Sequence, residues 1–289
     1  MTDAPATTIT AALREAAEQL AATSDTARLD AEVLMAHALG TTRSNLLLRH
    51  MRDSVPAEFA ALVARRLGHE PVAYITGTQD FFGLTLAVSP AVLIPRGDSE
   101  VLVEAALAAR PEAQRVLDCG TGSGALLLAV QANLPGAQGV GIDRSASALA
   151  VAQGNAEALG FAPRTELRLA DWHQPGWADG LGRFDLVLAN PPYVEDDAPI
   201  AASVREHEPA GALFAGADGL DDYRVLVPQL PGLLTPHGAA LVEIGYTQAE
   251  AVSAIAAAAG MEARLHHDLG GRPRVLELKI PLGKAGPSA

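Results

Sequence analysis

From Pro95 onward, short apolar runs alternate with alanine-rich stretches of helical length, and no other feature of the chain limits its fold so strongly. The runs are RVLDC (115–119), GVGID (139–143), ELRLA (166–170), FDLVLAN (184–190) and AALVEIG (239–245), and the stretches between them include ALLLAVQANL and ASALAVAQGNAEAL. Strands this apolar must be covered on both faces, and a strand that leads into a helix returns to a parallel neighbour. The pattern predicts an α/β fold with a doubly wound, mostly parallel seven-stranded sheet. Its end differs, because EARLHHDL and RPRVLELKI are separated only by Gly270 and Gly271. That gap is too short for a crossover, so the last two strands form an antiparallel C-terminal hairpin.

The preceding sequence follows another rhythm. From about residue 7 to 70, apolar residues recur three and four apart (Leu29, Val33, Ala36, Leu39), with Asp25 as the expected cap of one helix. The expected layout is a small N-terminal helical domain over 1–71, a β-hairpin linker over 72–90 built around Gly83, the sheet domain over 91–281, and a disordered tail over 282–289.

Charge narrows the function. The net charge of -13 opposes extended contact with phosphate backbones, whose binding relies on Lys and Arg displacing counterions. Residues 1–75 are the least acidic part, and Arg43, Arg49, Arg52, Arg65 and Arg66 form a loose basic cluster there, read either as a solvated helix face or as a surface for RNA or an acidic partner. No apolar run approaches the roughly 18 residues of a membrane span, and MTDAPATTIT lacks a basic leader region. The single cysteine, Cys119, excludes an internal disulfide and a Cys-rich metal site. A cytoplasmic, monomeric protein without a metal, a membrane anchor or stable nucleic-acid binding is expected.

The first core strand ends in Asp118-Cys119-Gly120-Thr121-Gly122-Ser123-Gly124 and runs directly into a helix. Glycines at such a junction let the backbone turn sharply and approach a nucleotide-type ligand. Gly120, Gly122 and Ala125 also satisfy a dinucleotide fingerprint, and Asp143 at the end of the next strand suits ribose hydroxyls in either cofactor class, or a helix cap. Asp171-Trp172 follows the third strand, where an acid and an aromatic suit an adenine, or simply pack in a loop.

The fourth strand ends in Asn190-Pro191-Pro192-Tyr193. Two prolines fix the backbone and remove two N–H donors, leaving the Asn190 side-chain oxygen and the Pro191 carbonyl as rigid acceptors. A planar NH2 group fits them, with Tyr193 stacked on the flat group. An amide nitrogen is a poor nucleophile because its lone pair is delocalised. Two acceptors aimed at its protons favour the partly positive nitrogen of a methyl-transfer transition state, which is electrostatic preorganisation.

With these motifs the sequence resembles the release-factor glutamine methyltransferase family (PrmC or HemK) from about Arg28 to Ile280. The resemblance extends through Pro71–Gly77, Phe81-Phe82, Val88-Ser89-Pro90, Leu93-Ile94-Pro95-Arg96, Glu208-Pro209, Gly219-Leu220-Asp221 and Leu241–Gly245. It implies a Rossmann-like class I methyltransferase fold that binds S-adenosyl-L-methionine through Asp118, Gly120, Thr121, Gly122, Gly124, Asp143, Asp171, Trp172 and Asn190. It implies further that Asn190, Pro191, Pro192 and Tyr193 are catalytic and grip the glutamine of a Gly-Gly-Gln loop in class I peptide chain release factors, with Phe81, Phe82 and Arg96 nearby. One departure is visible: Gly97-Asp98-Ser99-Glu100 stands where the family commonly has Pro-Asp-Thr-Glu, which loosens that turn. Methyltransferases acting on the amino groups of adenine in DNA or guanine in ribosomal RNA use the same tetrapeptide. The acidic charge argues against both.

Overall fold

A computed structural model describes residues 8–281; the expected disordered tail, 282–289, lies outside the described residues. The chain divides into two compact units, Met1–Thr78 with Ile200–His207, and Gln79–Pro199 with Glu208–Ala289.

The first unit is helical, with helices Ile9–Leu20, Ala27–Ala38, Phe59–Leu67 and Val72–Thr76 closing over Leu13, Leu20, Leu34, Met35, Leu46 and Phe59. Thr8 caps the first helix by accepting from the Ala11 N–H. Asp25 does not cap the second. That helix starts after Thr26, and the Ser24 and Thr26 hydroxyls both donate to Asp30 at 2.8 Å. Asp30 also receives Arg66 Nε at 2.7 Å inside the unit, so the two buried charges neutralise each other. Burial would raise the Glu32 carboxyl, but Arg28 at 2.6 Å and Arg43 at 2.7 Å hold it below its ordinary range. Three arginines of the expected basic cluster are neutralised by ion pairs. Arg43, Arg65 and Arg66 are bound to Glu32, Glu70 and Asp30.

The expected hairpin over 72–90 is shorter in the structure. Val72–Thr76 is helical, entered from Pro71 and ended by Gly77 at φ 77°, because Ile75 buries against the helical core. The strands that remain are β1 (Thr78–Phe81) and β2 (Leu84–Ala87). Phe82 and Gly83 connect them at φ 48° and 77°, as a type I′ turn demands. A left-handed phenylalanine costs roughly 1–2 kcal/mol, and the Glu100 carboxylate helps hold it by accepting the Phe82 N–H at 2.8 Å.

The second unit holds the sheet, formed by β3 (Arg115–Cys119), β4 (Gln138–Asp143), β5 (Thr165–Leu169), β6 (Phe184–Ala189), β7 (Leu234–Glu243), β8 (Glu262–His267) and β9 (Pro273–Lys279). Their order is β5-β4-β3-β6-β7-β9-β8. β5 to β7 pair in parallel, while β9 runs antiparallel to both β7 and β8. Alternation along each strand divides the core. Leu117, Cys119, Val187 and Ala189 pack with Tyr223, Leu226 and Val252 on one face. Val116, Leu186 and Leu188 pack with Leu102, Val103, Leu127 and Val130 on the other. From β3 the chain builds outward through β4 and β5, then returns to place β6 on the opposite side of β3. Ligands of open α/β sheets bind at such a reversal, beyond the C-terminal ends of the strands.

Candidate active site

The β3 strand ends at Cys119, and the glycine turn follows with Gly120, Gly122 and Gly124 at φ 76°, 53° and 85°. Positive φ is what an L side chain resists, so the turn requires these glycines. A Cβ on Gly120 would also meet Trp172 Cη2 at 3.2 Å, whereas one on Gly122 would meet nothing within 4 Å and faces open space. Asp118 lies beneath the turn. Its Oδ2 accepts from the Thr121 hydroxyl at 2.7 Å, while the buried Oδ1 has no partner among the described residues. Burial pushes the Asp118 carboxyl up to about 7, against the opposing pull of Thr121 and the Leu127 N–H.

Asp143 closes β4 and accepts the Gly122 N–H at 3.0 Å and the Ser145 N–H at 2.9 Å, one on each oxygen. Each oxygen keeps a lone pair for a ligand hydroxyl. Asp171 is held by His173, through the backbone N–H and Nδ1, both at 3.0 Å. Burial would raise that carboxyl, but the His173 contacts lower it overall. Trp172 is fixed at both ends, its ring over Gly120 and its Nε1–H donating to the buried Asp222 at 3.0 Å. Together these residues form one wall of a cleft lined by Gly120, Thr121, Gly122, Asp143, Asp171 and Trp172.

Across the cleft lie Asn190 and Pro192, just past the end of β6. The Asn190 side-chain amide makes no hydrogen bond among those described, so its oxygen is available to a ligand. Phe81 and Arg96 line the same cleft. Arg96 is set in place by Glu208, whose buried carboxylate accepts from the Arg96 guanidinium and from the Ile94 N–H at 3.2 Å. This contact ties the Ile-Pro-Arg and Glu-Pro motifs together across 112 residues. Asp118, Gly124, Pro191, Tyr193 and Phe82 are not among the residues that line this cleft.

Tyr193 turns its hydroxyl toward Glu243 Oε1 at 3.4 Å. Glu243, the last residue of β7, is 1% exposed, and Tyr223 donates to its backbone carbonyl at 2.9 Å. Burial pushes the Glu243 carboxyl up to about 7; Ser99, Arg274 and Tyr193 pull it down, and Asp98 adds to the rise. Ser99 Oγ, Glu243 Oε2 and Arg274 Nε are all buried without a hydrogen-bond partner among the described residues. A carboxyl that holds its proton more tightly when folded adds stability below its ordinary value of 4.5, and that contribution is lost as pH rises through about 7. Glu243→Gln cannot ionise and keeps its contribution across this window. The melting temperature of the variant should therefore gain on wild type between about pH 5 and about pH 8. A melting temperature of the variant, relative to wild type, that stays constant or falls over this range contradicts a neutral Glu243 in the fold.

Two polar residues of this region carried no signal in the sequence reading. Gln248 sits between the turns after β6 and β7, and Asp222 lies under Trp172. Tyr193, which Gln248 holds, and Trp172, which Asp222 holds, are 55 and 50 residues away in the chain, so local pattern could not mark these contacts.

Residues 11–77 match the PrmC N-terminal domain family, and residues 111–257 match a methyltransferase domain family. The chain is 46% identical over 233 residues to the release factor glutamine methyltransferase of Geobacter sulfurreducens, covering 79% of this chain and 80% of that one. It is 43% identical over 278 residues to that of Cereibacter sphaeroides, covering 93% and 98%. Among solved structures, a release factor-specific protein-(glutamine-N5) methyltransferase from Alicyclobacillus acidocaldarius is 25% identical, with 68% of this chain and 100% of that chain covered and a TM-score of 0.40. Identity at the level of the two relatives, sustained over most of both sequences, means that the chain belongs to the release factor glutamine methyltransferase family.

Proposed function

We propose that the protein transfers the methyl group of S-adenosylmethionine to the side-chain amide nitrogen of the glutamine in the Gly-Gly-Gln loop of class I peptide chain release factors, in the cytoplasm. The observation that carries this reading is Asn190, which presents an unengaged amide at the cleft wall and is followed by two prolines that supply carbonyls without N–H donors. The cleft suits the cofactor: Gly122 leaves open space at the glycine turn, and Asp143 retains acceptor capacity beside it. Gly120, Thr121, Gly122, Asp143, Asp171 and Trp172 would hold the cofactor, with Asp118 and Gly124 shaping the turn. When bound, it supplies an electrophilic sulfonium methyl.

The chain's own residues do the rest by placement. Asn190 Oδ1 and the Pro191 carbonyl accept the two amide protons and hold the nitrogen lone pair toward the methyl donor. They stabilise the positive charge that develops on that nitrogen, a role for which fixed acceptors in a site shielded from water are effective. No base is required before transfer, because a protonated N-methyl amide is strongly acidic and loses its proton afterwards. Phe81 and Arg96 bound the acceptor side, and the helical N-terminal unit adds surface for gripping a protein.

The reading is tested by incubating the protein with methyl-labelled S-adenosylmethionine, a release factor and ribosomal RNA, and locating the label by mass spectrometry. Label on the loop glutamine side chain supports it. Label on RNA, or on other residues of the factor, contradicts it.

A further inference from the structure

The two prolines that make Asn190-Pro191-Pro192-Tyr193 a good acceptor also deprive it of anchors. Neither Pro191 nor Pro192 can donate to a neighbouring element, so the segment between β6 and Tyr193 has to be held at its far end. Backbone hydrogen bonds do part of this: Tyr193 N and Val194 N donate to the Leu213 carbonyl at 3.2 and 2.8 Å. The Tyr193 carbonyl is engaged by a side chain. Gln248 Nε2 donates to it at 3.1 Å and to the Gly219 carbonyl at 3.2 Å, while Gln248 Oε1 accepts the Gly245 N–H at 2.9 Å. One nearly buried amide thus uses both donors and its acceptor to join the acceptor segment, the Gly219 turn and the turn that follows β7.

Gly219 gives independent support. It sits at φ 67°, and a Cβ built there would fall 2.4 Å from the Tyr193 carbonyl oxygen and 2.7 Å from Gln248 Nε2. The junction is packed so closely that no side chain fits between the carbonyl and the amide that grips it. Both contacts act on the backbone three residues beyond Asn190, outside the cleft and away from the glycine turn.

We propose that Gln248, seated against Gly219, is a positioning residue for methyl transfer that fixes the Asn190–Tyr193 segment through the Tyr193 carbonyl. The inference rests on the reading that Asn190 and Pro191 hold the methyl acceptor. Loss of the clamp lets Asn190 Oδ1 and the Pro191 carbonyl drift from the amide protons, and displacements on the order of 1 Å in such a site cost about 100-fold in rate. The cofactor side is held by other contacts and stays in place.

The test compares wild type with Gln248→Ala and Gln248→Glu for methyl transfer to a class I release factor, alongside S-adenosylmethionine affinity by calorimetry and melting temperature. Gln248→Glu is nearly isosteric but, when ionised, turns an oxygen toward two carbonyls. On lowering the pH its protonated form regains one donor. Expected are a fall in kcat of about 10- to 100-fold for both variants, a cofactor affinity within about threefold of wild type, and partial recovery of Gln248→Glu relative to wild type as pH falls. Unchanged kcat in folded variants overturns the proposal. So does a loss that follows cofactor affinity or unfolding, or a Gln248→Glu profile parallel to wild type. Wild type failing to methylate the factor would instead overturn the functional reading.

Discussion

Asn190→Ala is expected to lower kcat for methyl transfer by about 100- to 1000-fold, the usual cost of removing one preorganised hydrogen-bonding group at a developing charge. Asn190 stands at the cleft wall, and its side-chain amide meets no protein partner among those described, so truncation would remove the proposed contact to substrate without breaking one within the fold. Affinity for S-adenosylmethionine should stay within about threefold, because Asp143, Asp171 and the glycine turn are untouched. Single-turnover measurement under saturating cofactor separates the two quantities. Turnover that survives at the wild-type rate would remove Asn190 from the mechanism.

Gly120→Ala should act on the opposite side of the cleft. The new methyl group would meet Trp172 Cη2 at 3.2 Å and Cζ3 at 3.4 Å, on a backbone at φ 76°. The left-handed conformation alone costs roughly 1–2 kcal/mol for a residue with a Cβ. Trp172 has little freedom to retreat, since its Nε1–H is committed to the buried Asp222. The strain therefore falls on the glycine turn that lines the cleft. Affinity for S-adenosylmethionine should weaken by about tenfold or more, equivalent to about 1.4 kcal/mol. Gly122→Ala is the informative comparison, because its methyl group would meet no protein atom within 4 Å. If that variant also loses affinity while keeping its melting temperature, the open space at Gly122 is where the ligand lies. Calorimetric titration reads both, and wild-type affinity in Gly120→Ala would contradict this account of the turn.

The sheet was legible in the sequence because its signals are local. Buried parallel strands such as Phe184–Ala189 carry continuous apolar runs, and the Gly270-Gly271 spacing left only a hairpin between the last strands. The glycine turn and the Asn-Pro-Pro-Tyr segment were legible for the same reason, since each encodes a backbone conformation in adjacent residues. What escaped was set by distant partners. Val72–Thr76 has β-branched and aromatic residues yet becomes helical, because Ile75 completes a core assembled from the other helices. Arg43, Arg65 and Arg66 read as part of a basic cluster until Glu32, Glu70 and Asp30 are brought against them. The helix Ala202–His207 is short and polar and follows the acceptor segment, yet it groups with the first unit, where His207 Nε2 meets the Gly68 carbonyl at 3.0 Å. Gln248 is ordinary in the sequence, and only the fold shows that all its polar atoms converge on one junction.

The same distinction applies within the Asn-Pro-Pro-Tyr segment. On the proposed reading its residue types specify the acceptors directly, whereas the contacts behind Tyr193 come from Gly219 and from Glu243 and Gln248 at the end of β7 and just after it. On the proposed mechanism the chemistry is compact in sequence and its scaffolding is not, because a short rigid loop rather than a titrating side chain would perform the work.

The identity of the acceptor is measured most directly by methyl transfer from labelled S-adenosylmethionine to a class I release factor, run beside the same factor with the loop glutamine changed to alanine. Label is expected on the first and none above background on the second. Equal label on both would contradict glutamine as the acceptor.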